Sequence, residues 1–443
     1  MYTISKAHLL ATAAVLSLII STFLIFGTQY STSVAQYALK TSLQPGGCPP
    51  QHVEIPASNT TDWEFQVARD GNNYGLTPLQ CRAAFPKLFV EIDNATATRA
   101  QNPITFEELD QVEMADGMVR GVIADGQLYI LSYTPQPFTF SRAKATLHAL
   151  HRALAASPTA PPPLEFILTT EDFYLPPSPH PQNPGAGPPP PPPIWSYTKL
   201  PHHRHTWLMP DFGYWSWPEV QIGPYPALRQ RIAALESGLP FPQKRKQLLW
   251  RGSTATNPGV RGTLLKASQG KSWASVHPLD WDSTSSASGS ASDVRGMPEA
   301  FVPMHEHCAY MFLAHTEGRS FSGRGKYLLN CRSVVLSHPL TWREAHHAAL
   351  VAAPHPAANY VLVEEAGWGD LDRKMEWLID HPDAAERIAD EAVRTFRDRY
   401  LTPAAEACYW RELVVQYSGV LGFVPVVEGR EGAVAFEDWV LGV

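Results

Sequence analysis

Between residues 247 and 400, short apolar runs alternate with helical patterns, and that alternation leaves few architectures open. Gln247–Trp250, Tyr310–Ala314, Ser333–Leu336 and Tyr360–Val363 are four or five residues long and apolar on both alternating faces. Runs of that kind need cover on both sides, which a parallel sheet flanked by helices provides. The helices are legible too. Lys326–Asn330 reads as helical, and Leu371–Ile379 places Leu371, Met375, Leu378 and Ile379 on one stripe. Pro382 opens a further helix with Ile388, Ala392, Phe396 and Tyr400 on one face. The first half has a different texture. Gly117–Tyr133 alternates around Asp125-Gly126 and predicts a hairpin, while Ala143–Ala155 is helical in pattern. Leu164–Leu168 reads as a buried strand ending at Thr169-Thr170-Glu171-Asp172. The boundary between the halves is expected near 235–245.

Ahead of this body, Leu9–Phe26 runs 18 residues without a charge, within the roughly 17–25 a spanning helix requires. Lys6 precedes it and no Lys or Arg follows until Lys40, so the short end stays cytoplasmic and the body is luminal. A cleaved signal, with Ser33 and Ala35 at the cut, is the alternative and delivers the body to the same side. Residues 27–62 read as a stem. Sequons at Asn59 and Asn94 agree with a luminal course. No terminal retrieval tetrapeptide is present, which favours a Golgi over an endoplasmic reticulum location.

Bulk composition excludes some functions. The formal charge of −7, from 35 Lys+Arg against 42 Asp+Glu, is wrong for a nucleic-acid binder. The five cysteines, Cys48, Cys81, Cys308, Cys331 and Cys408, contain no CxxC pair, so a zinc site is not expected, and their pairing is not readable from spacing. Asp280-Trp281-Asp282 is a DxD triplet beside the Ser-rich stretch Ser283–Ser292, away from any strand end, and is read as chance. His202–His205 is read as an exposed polar loop. His346 and His347 are adjacent, so on a helix they should diverge. Pro176–Pro193 ends in six consecutive prolines and is expected to be an exposed polyproline loop. The cluster Phe212–Trp217 either stacks on a ligand, through Trp215 and Trp217, or fills a core.

The chemistry concentrates in Glu317–Lys326. Gly318 and Gly323 permit close backbone approach, Ser320 and Ser322 offer hydroxyls, and Arg319, Arg324 and Lys326 bring charge. Ligands of an open parallel sheet sit beyond the carboxyl ends of its strands, and guanidinium forks match phosphate oxygens. Arg251-Gly252-Ser253, followed by Arg261, repeats this arrangement at another strand end. A nucleoside diphosphate fits the combination; an ordinary Gly/Ser/Arg loop is the competing reading.

The stretches LLWRGS at 248–253, HCAYMFLAHTEGRSFSGRGKYLLNCRSVVL at 307–336 and CYW at 408–410 resemble glycosyltransferase family 90, a family that includes the protein O-glucosyltransferases; the likeness is closest to its fungal members. The resemblance covers roughly 165–420. It implies an α/β, GT-B-like fold: two Rossmann-type domains with a deep cleft between them, behind the transmembrane helix and stem. The expected layout is a cytoplasmic tail at 1–8, anchor 9–26, stem 27–62, acceptor-side domain 63–240, donor-nucleotide domain 241–400, and a helix and tail at 401–443 packing back on the body. The resemblance also assigns Ser253, Arg261, Arg319, Ser320, Phe321, Ser322, Gly323 and Arg324 to the donor, with Arg324 on the diphosphate. Arg251, Gly252, Glu317, Gly318 and Lys326 would support them. Asp172, in TTEDFYLP, corresponds to the catalytic base, with Glu171 as fallback.

The expected activity is inverting transfer of glucose or xylose from a UDP-sugar to a hydroxyl of a glycan or glycoprotein. No cofactor or metal is expected. A non-catalytic glycan-binding or scaffolding relative of the same fold is the alternative, and a phosphate-ester hydrolase lacks a nucleophile–base pair.

Overall fold

A computed structural model of the chain describes residues 63–136, 141–175, 191–280, 300–430 and 432–442. The expected tail, anchor 9–26 and stem, with Cys48 and Asn59, lie outside the described residues. So do 176–190 of the proline loop and 281–299, including most of the DxD triplet. Among the described residues no helix is long and apolar enough to cross a membrane.

The first sheet begins with the expected hairpin, β1 (Met118–Ala124) and β2 (Gln127–Tyr133). Asp125 and Gly126 turn between them with φ of 49° and 77°, the left-handed pair of a tight hairpin turn. β3 (Leu164–Thr169) lies antiparallel to β1 on its other side, and its six residues are all buried. Two short strands missed in the sequence, β4 (Trp195–Ser196) and β5 (Trp207–Leu208), continue parallel to β3. The sheet is therefore mixed, where a Rossmann-type layout implies parallel strands throughout. A two-residue turn can only return a strand antiparallel.

The second sheet is wholly parallel: β6 (Arg245–Gly252), β7 (Ala274–Pro278), β8 (Tyr310–His315), β9 (Val334–Ser337) and β10 (Val361–Leu362). Their order across the sheet is β10-β9-β8-β6-β7. A last strand, β11 (Val434–Ala435), joins β2 at the edge of the first sheet. β8 and β9, the central apolar runs, are buried at every residue. That explains why their sequences do not alternate.

The helix Pro258–Ser268 starts where Asn257 accepts the Val260 N–H at 3.1 Å with Pro258 at its first position. This sets Arg261 in the first turn, facing the end of β6. The helix from Pro382 holds α geometry to Ala392 and then widens into a π-helix over Val393–Tyr400. The physical reason lies in the spacing. Ile388, Ala392, Phe396 and Tyr400 recur every four residues, which overruns a 3.6-residue turn, and the wider π turns absorb the excess. All four are buried.

Among the described residues two disulfides form. Cys81–Cys408 joins the helix Pro78–Ala84 to the helix Pro403–Ser418, and Cys308–Cys331 joins the turn before β8 to the turn before β9. Cys308–Cys331 thus brackets the segment in which the Gly/Ser/Arg loop lies.

Candidate active site

The loop Thr316–Arg324 leaves the carboxyl end of β8 and passes under the carboxyl end of β6. It folds on itself: the Gly318 N–H reaches the carbonyls of Ser320 and Phe321, both at 3.1 Å. From the neighbouring helix, Asn257 Nδ2 donates to the Gly318 carbonyl at 2.9 Å. Arg261 grips the loop and the β6 end together, with Nε on the Glu317 carbonyl at 2.9 Å and Nη1 on the Ser253 carbonyl at 2.8 Å and on Thr256 Oγ1. Glu317 turns inward. Its carboxylate accepts the N–H groups of Thr341 and Trp342 at 2.8 and 2.7 Å, and burial pushes it above the ordinary carboxylate range.

Two guanidinium groups dominate the electrostatics. Arg261 and Arg324 lie over the Trp250 ring, 6.0 and 5.7 Å from its centroid. Both are buried and neither forms an ion pair among the described residues. Burial pulls Arg324 down to about 9, and the neighbouring Arg261 adds to it. Burial likewise pulls Arg261 down to about 10, partly offset by the Asp172 carboxylate. A guanidinium does not release its proton in a protein, so these depressions register positive charge held without a counter-ion. Two such forks side by side can hold an anion, and the charge and oxygens of a diphosphate would match them.

Other charges of the same stretch are already spent. Lys326 is buried in an ion pair with Asp211, at 2.6 and 2.8 Å to the two carboxylate oxygens. Arg251 gives its donors to the carbonyls of Ala300, Trp250 and Ser275 and to Ser275 Oγ. Successive strand residues face opposite sides, so Trp250 carries the site and Arg251 the packing behind it. Arg319 is exposed at the loop tip, whereas Phe321 is buried against Tyr197. The Gly325 N–H closes the loop end on the Ser322 carbonyl at 2.7 Å.

Asp172 comes to the same place from the first sheet. Ser320, fully buried, donates its hydroxyl to the Asp172 carbonyl at 2.6 Å. This bond ties the β8 loop to the end of β3. The Asp172 carboxylate is 31 % exposed, with Oδ1 accepting Arg142 Nη1 at 2.9 Å. Glu171 points elsewhere and accepts from Gln136. The aromatic cluster lies behind the loop. Trp217 packs on Gly323, whose Cβ position would come 3.2 Å from the ring, and Trp215 stacks on His148 at 4.7 Å. Asn94 is exposed on the helix Val90–Arg99.

Glu344, His346 and His347 bring ligand-type atoms within 4.8 Å of one another. Adjacent histidines were expected to diverge. In the 3₁₀ turn Ala345–Ala349 their rings instead meet edge-on at 4.8 Å. Their groups already serve as a cap, with the Glu344 N–H on His347 Nδ1 at 3.2 Å. Lys326 acts on His346, and Arg324 on the nearby His315.

Sequence reading missed Trp250 as the platform, Asn257 and Thr256 as loop anchors, and Arg142. The Asn257-Pro258 helix start was the one signal available for any of them.

The family model of glycosyl transferase family 90 matches residues 80–439. Among curated relatives, an O-glucosyltransferase rumi homolog of Aedes aegypti is 24% identical over 223 residues, 49% of this chain and 53% of the relative. O-glucosyltransferase rumi of Drosophila pseudoobscura pseudoobscura is 24% identical over 271 residues, 59% and 62% of the two chains. Protein O-glucosyltransferase 1 of Rattus norvegicus is 24% identical over 271 residues, 59% and 64%. The match thus spans less than two thirds of each relative's length.

Proposed function

The chain belongs to glycosyl transferase family 90, and on that premise we propose that it transfers a sugar from a UDP-sugar to a hydroxyl of a glycan or glycoprotein acceptor, with inversion. One observation carries the reading: Arg261 of the helix Pro258–Ser268 and Arg324 of the β8 loop, buried and in no ion pair among the described residues, meet over Trp250, and that loop is hydrogen-bonded to the backbone of Asp172. Donor diphosphate and catalytic base then share one rigid frame.

In the reaction, Asp172 takes the proton of the acceptor hydroxyl as its oxygen attacks the anomeric carbon. The bond from that carbon to the diphosphate oxygen breaks, and the charge developing on the leaving group falls between the two guanidinium groups. This chain's own cations do that work in the mechanism, with no metal assigned to it. The two sheets correspond in this reading to the acceptor and donor halves of a GT-B fold.

Relatives named for O-glucosyl transfer make UDP-glucose the first donor to test, with UDP-xylose second. Two disulfides favour an oxidising compartment. With the apolar run 9–26, they support a luminal catalytic body on a single-pass anchor, in the Golgi or the endoplasmic reticulum.

The test is binding and turnover by the full chain across UDP-glucose, UDP-xylose, UDP-galactose and GDP-mannose. Arg324→Ala should lose donor binding by about 100-fold or more. Asp172→Asn should bind donor like the wild type and transfer nothing. A folded chain that binds no nucleotide sugar would overturn the assignment in favour of a non-catalytic relative, and an active Asp172→Asn would remove the base.

A further inference from the structure

The base has a partner that the donor site does not explain. Arg142 lies in the first turn of the helix Ser141–Ala155, thirty residues before Asp172 in sequence, and its side chain is only 11 % exposed. Its Nη1 spans two acceptors, Asp172 Oδ1 at 2.9 Å and the Thr170 carbonyl at 3.2 Å. Behind it the Phe212 ring supports the guanidinium, 4.6 Å from its carbon. Thr170 is fixed in turn, with its N–H and its hydroxyl both on the Gly117 carbonyl at 3.0 and 2.9 Å.

From this geometry we infer that Arg142 is a positioning residue for the transfer reaction, fixing the rotamer of Asp172 so that its other carboxylate oxygen meets the acceptor hydroxyl. The inference rests on the transferase reading above. Its physical basis is that Asp172 follows the end of β3, where ladder hydrogen bonds cease to hold the chain. Ser320 secures the backbone of Asp172, and nothing on β3 itself orients the carboxylate. A guanidinium nitrogen that bridges the carboxylate and a β3-end carbonyl removes that freedom, because both acceptors are held from one rigid planar group. A base displaced by about 1 Å costs on the order of 100-fold in rate.

The experiment measures kcat, donor KM and donor Kd for the full-length wild type, Arg142→Ala and Arg142→Lys, using the UDP-sugar that the wild type turns over. Arg142→Ala should lose about 100-fold in kcat while its donor Kd stays unchanged. Arg142→Lys should recover part of the loss, since an ammonium reaches the carboxylate but lacks the planar fork. Millimolar guanidinium ion should partly restore Arg142→Ala by filling the vacated place. A kcat for Arg142→Ala equal to or above wild type overturns the inference. So does a donor Kd that weakens in step with kcat, which would make Arg142 part of the donor site. Should Arg142→Ala not fold, the kcat and Kd of Arg142→Lys decide on the same terms. A wild type that turns over no UDP-sugar overturns the transferase reading and this one with it; an active wild type beside an unaffected Arg142→Ala overturns this one alone.

Discussion

Arg324 ends the β8 loop and Lys326 lies two residues on, in the helix Gly325–Leu328, and both looked suited to phosphate. Their surroundings separate them. Arg324 meets Trp250 and another cation, so its charge is available to a ligand, whereas Lys326 meets both oxygens of Asp211 and the Gly323 carbonyl at 2.9 Å. Removing one member of a buried pair leaves the other uncompensated, at about 3–5 kcal/mol. Lys326→Met should therefore destabilise the fold by that amount in denaturant unfolding. Below the unfolding transition its donor affinity should stay within about threefold of wild type. A stable Lys326→Met that has lost donor binding would return Lys326 to the phosphate site.

At the scale of elements, the β8 loop is held from three directions. Arg261 and Asn257 grip it from the helix Pro258–Ser268, Ser320 ties it to the end of β3, and Trp217 lies on Gly323. The helix after it begins at Gly325, where an added Cβ would sit 2.7 Å from His315 Cε1. His315 is the last residue of β8 and is itself buried, so neither side can yield easily. Gly325→Ala should cost about 1–3 kcal/mol by overpacking. It should also weaken donor binding, because the strain is applied beside Arg324. Thermal unfolding together with donor titration checks both. A variant with native stability and unchanged affinity would show that the loop end is more compliant than its packing indicates.

Over the whole molecule, burial of histidine sets the response to acid. Burial pushes His307 down to about 3 and His338 down to about 4, and holds His315 and His346 well below the ordinary imidazole range. On unfolding these four rings take up protons near pH 6.5, as free histidines do. The unfolded state then binds more protons than the folded one between about pH 4 and about pH 6.5, so stability rises with pH across that window. Glu406 opposes them. Its burial raises it from 4.5 to about 7, so the folded state holds the extra proton and stability falls with pH between those values. Glu317, also held above the ordinary carboxylate range by burial, acts in the same sense as Glu406, and four groups outweigh two. The melting temperature of the chain should climb from about pH 4 to about pH 6.5 and then level off. A melting temperature flat across that range would contradict the burial of these histidines.

Much of this protein was legible in its sequence because the deciding forces are local or periodic. The apolar runs that became β8 and β9 lie in the middle of a sheet and had to be apolar on both faces. Asp125-Gly126 specified a hairpin through the left-handed backbone that its turn requires, and the residue types of the Gly/Ser/Arg loop are the ground on which a phosphate site is proposed. Other features depend on which distant segments meet. β4 and β5 are two residues each, too short to show a period, and exist only because β3 offers them an edge. The identical chemical promise of Arg324 and Lys326 was resolved by Asp211, more than a hundred residues away in the chain. Arg142 acquired its place through Asp172 and Phe212, neither of which its own neighbourhood reveals. Residue type and spacing thus determined the elements and the class of chemistry, while the partner of each charge was decided by the tertiary structure, since burial and pairing are properties of the packed chain.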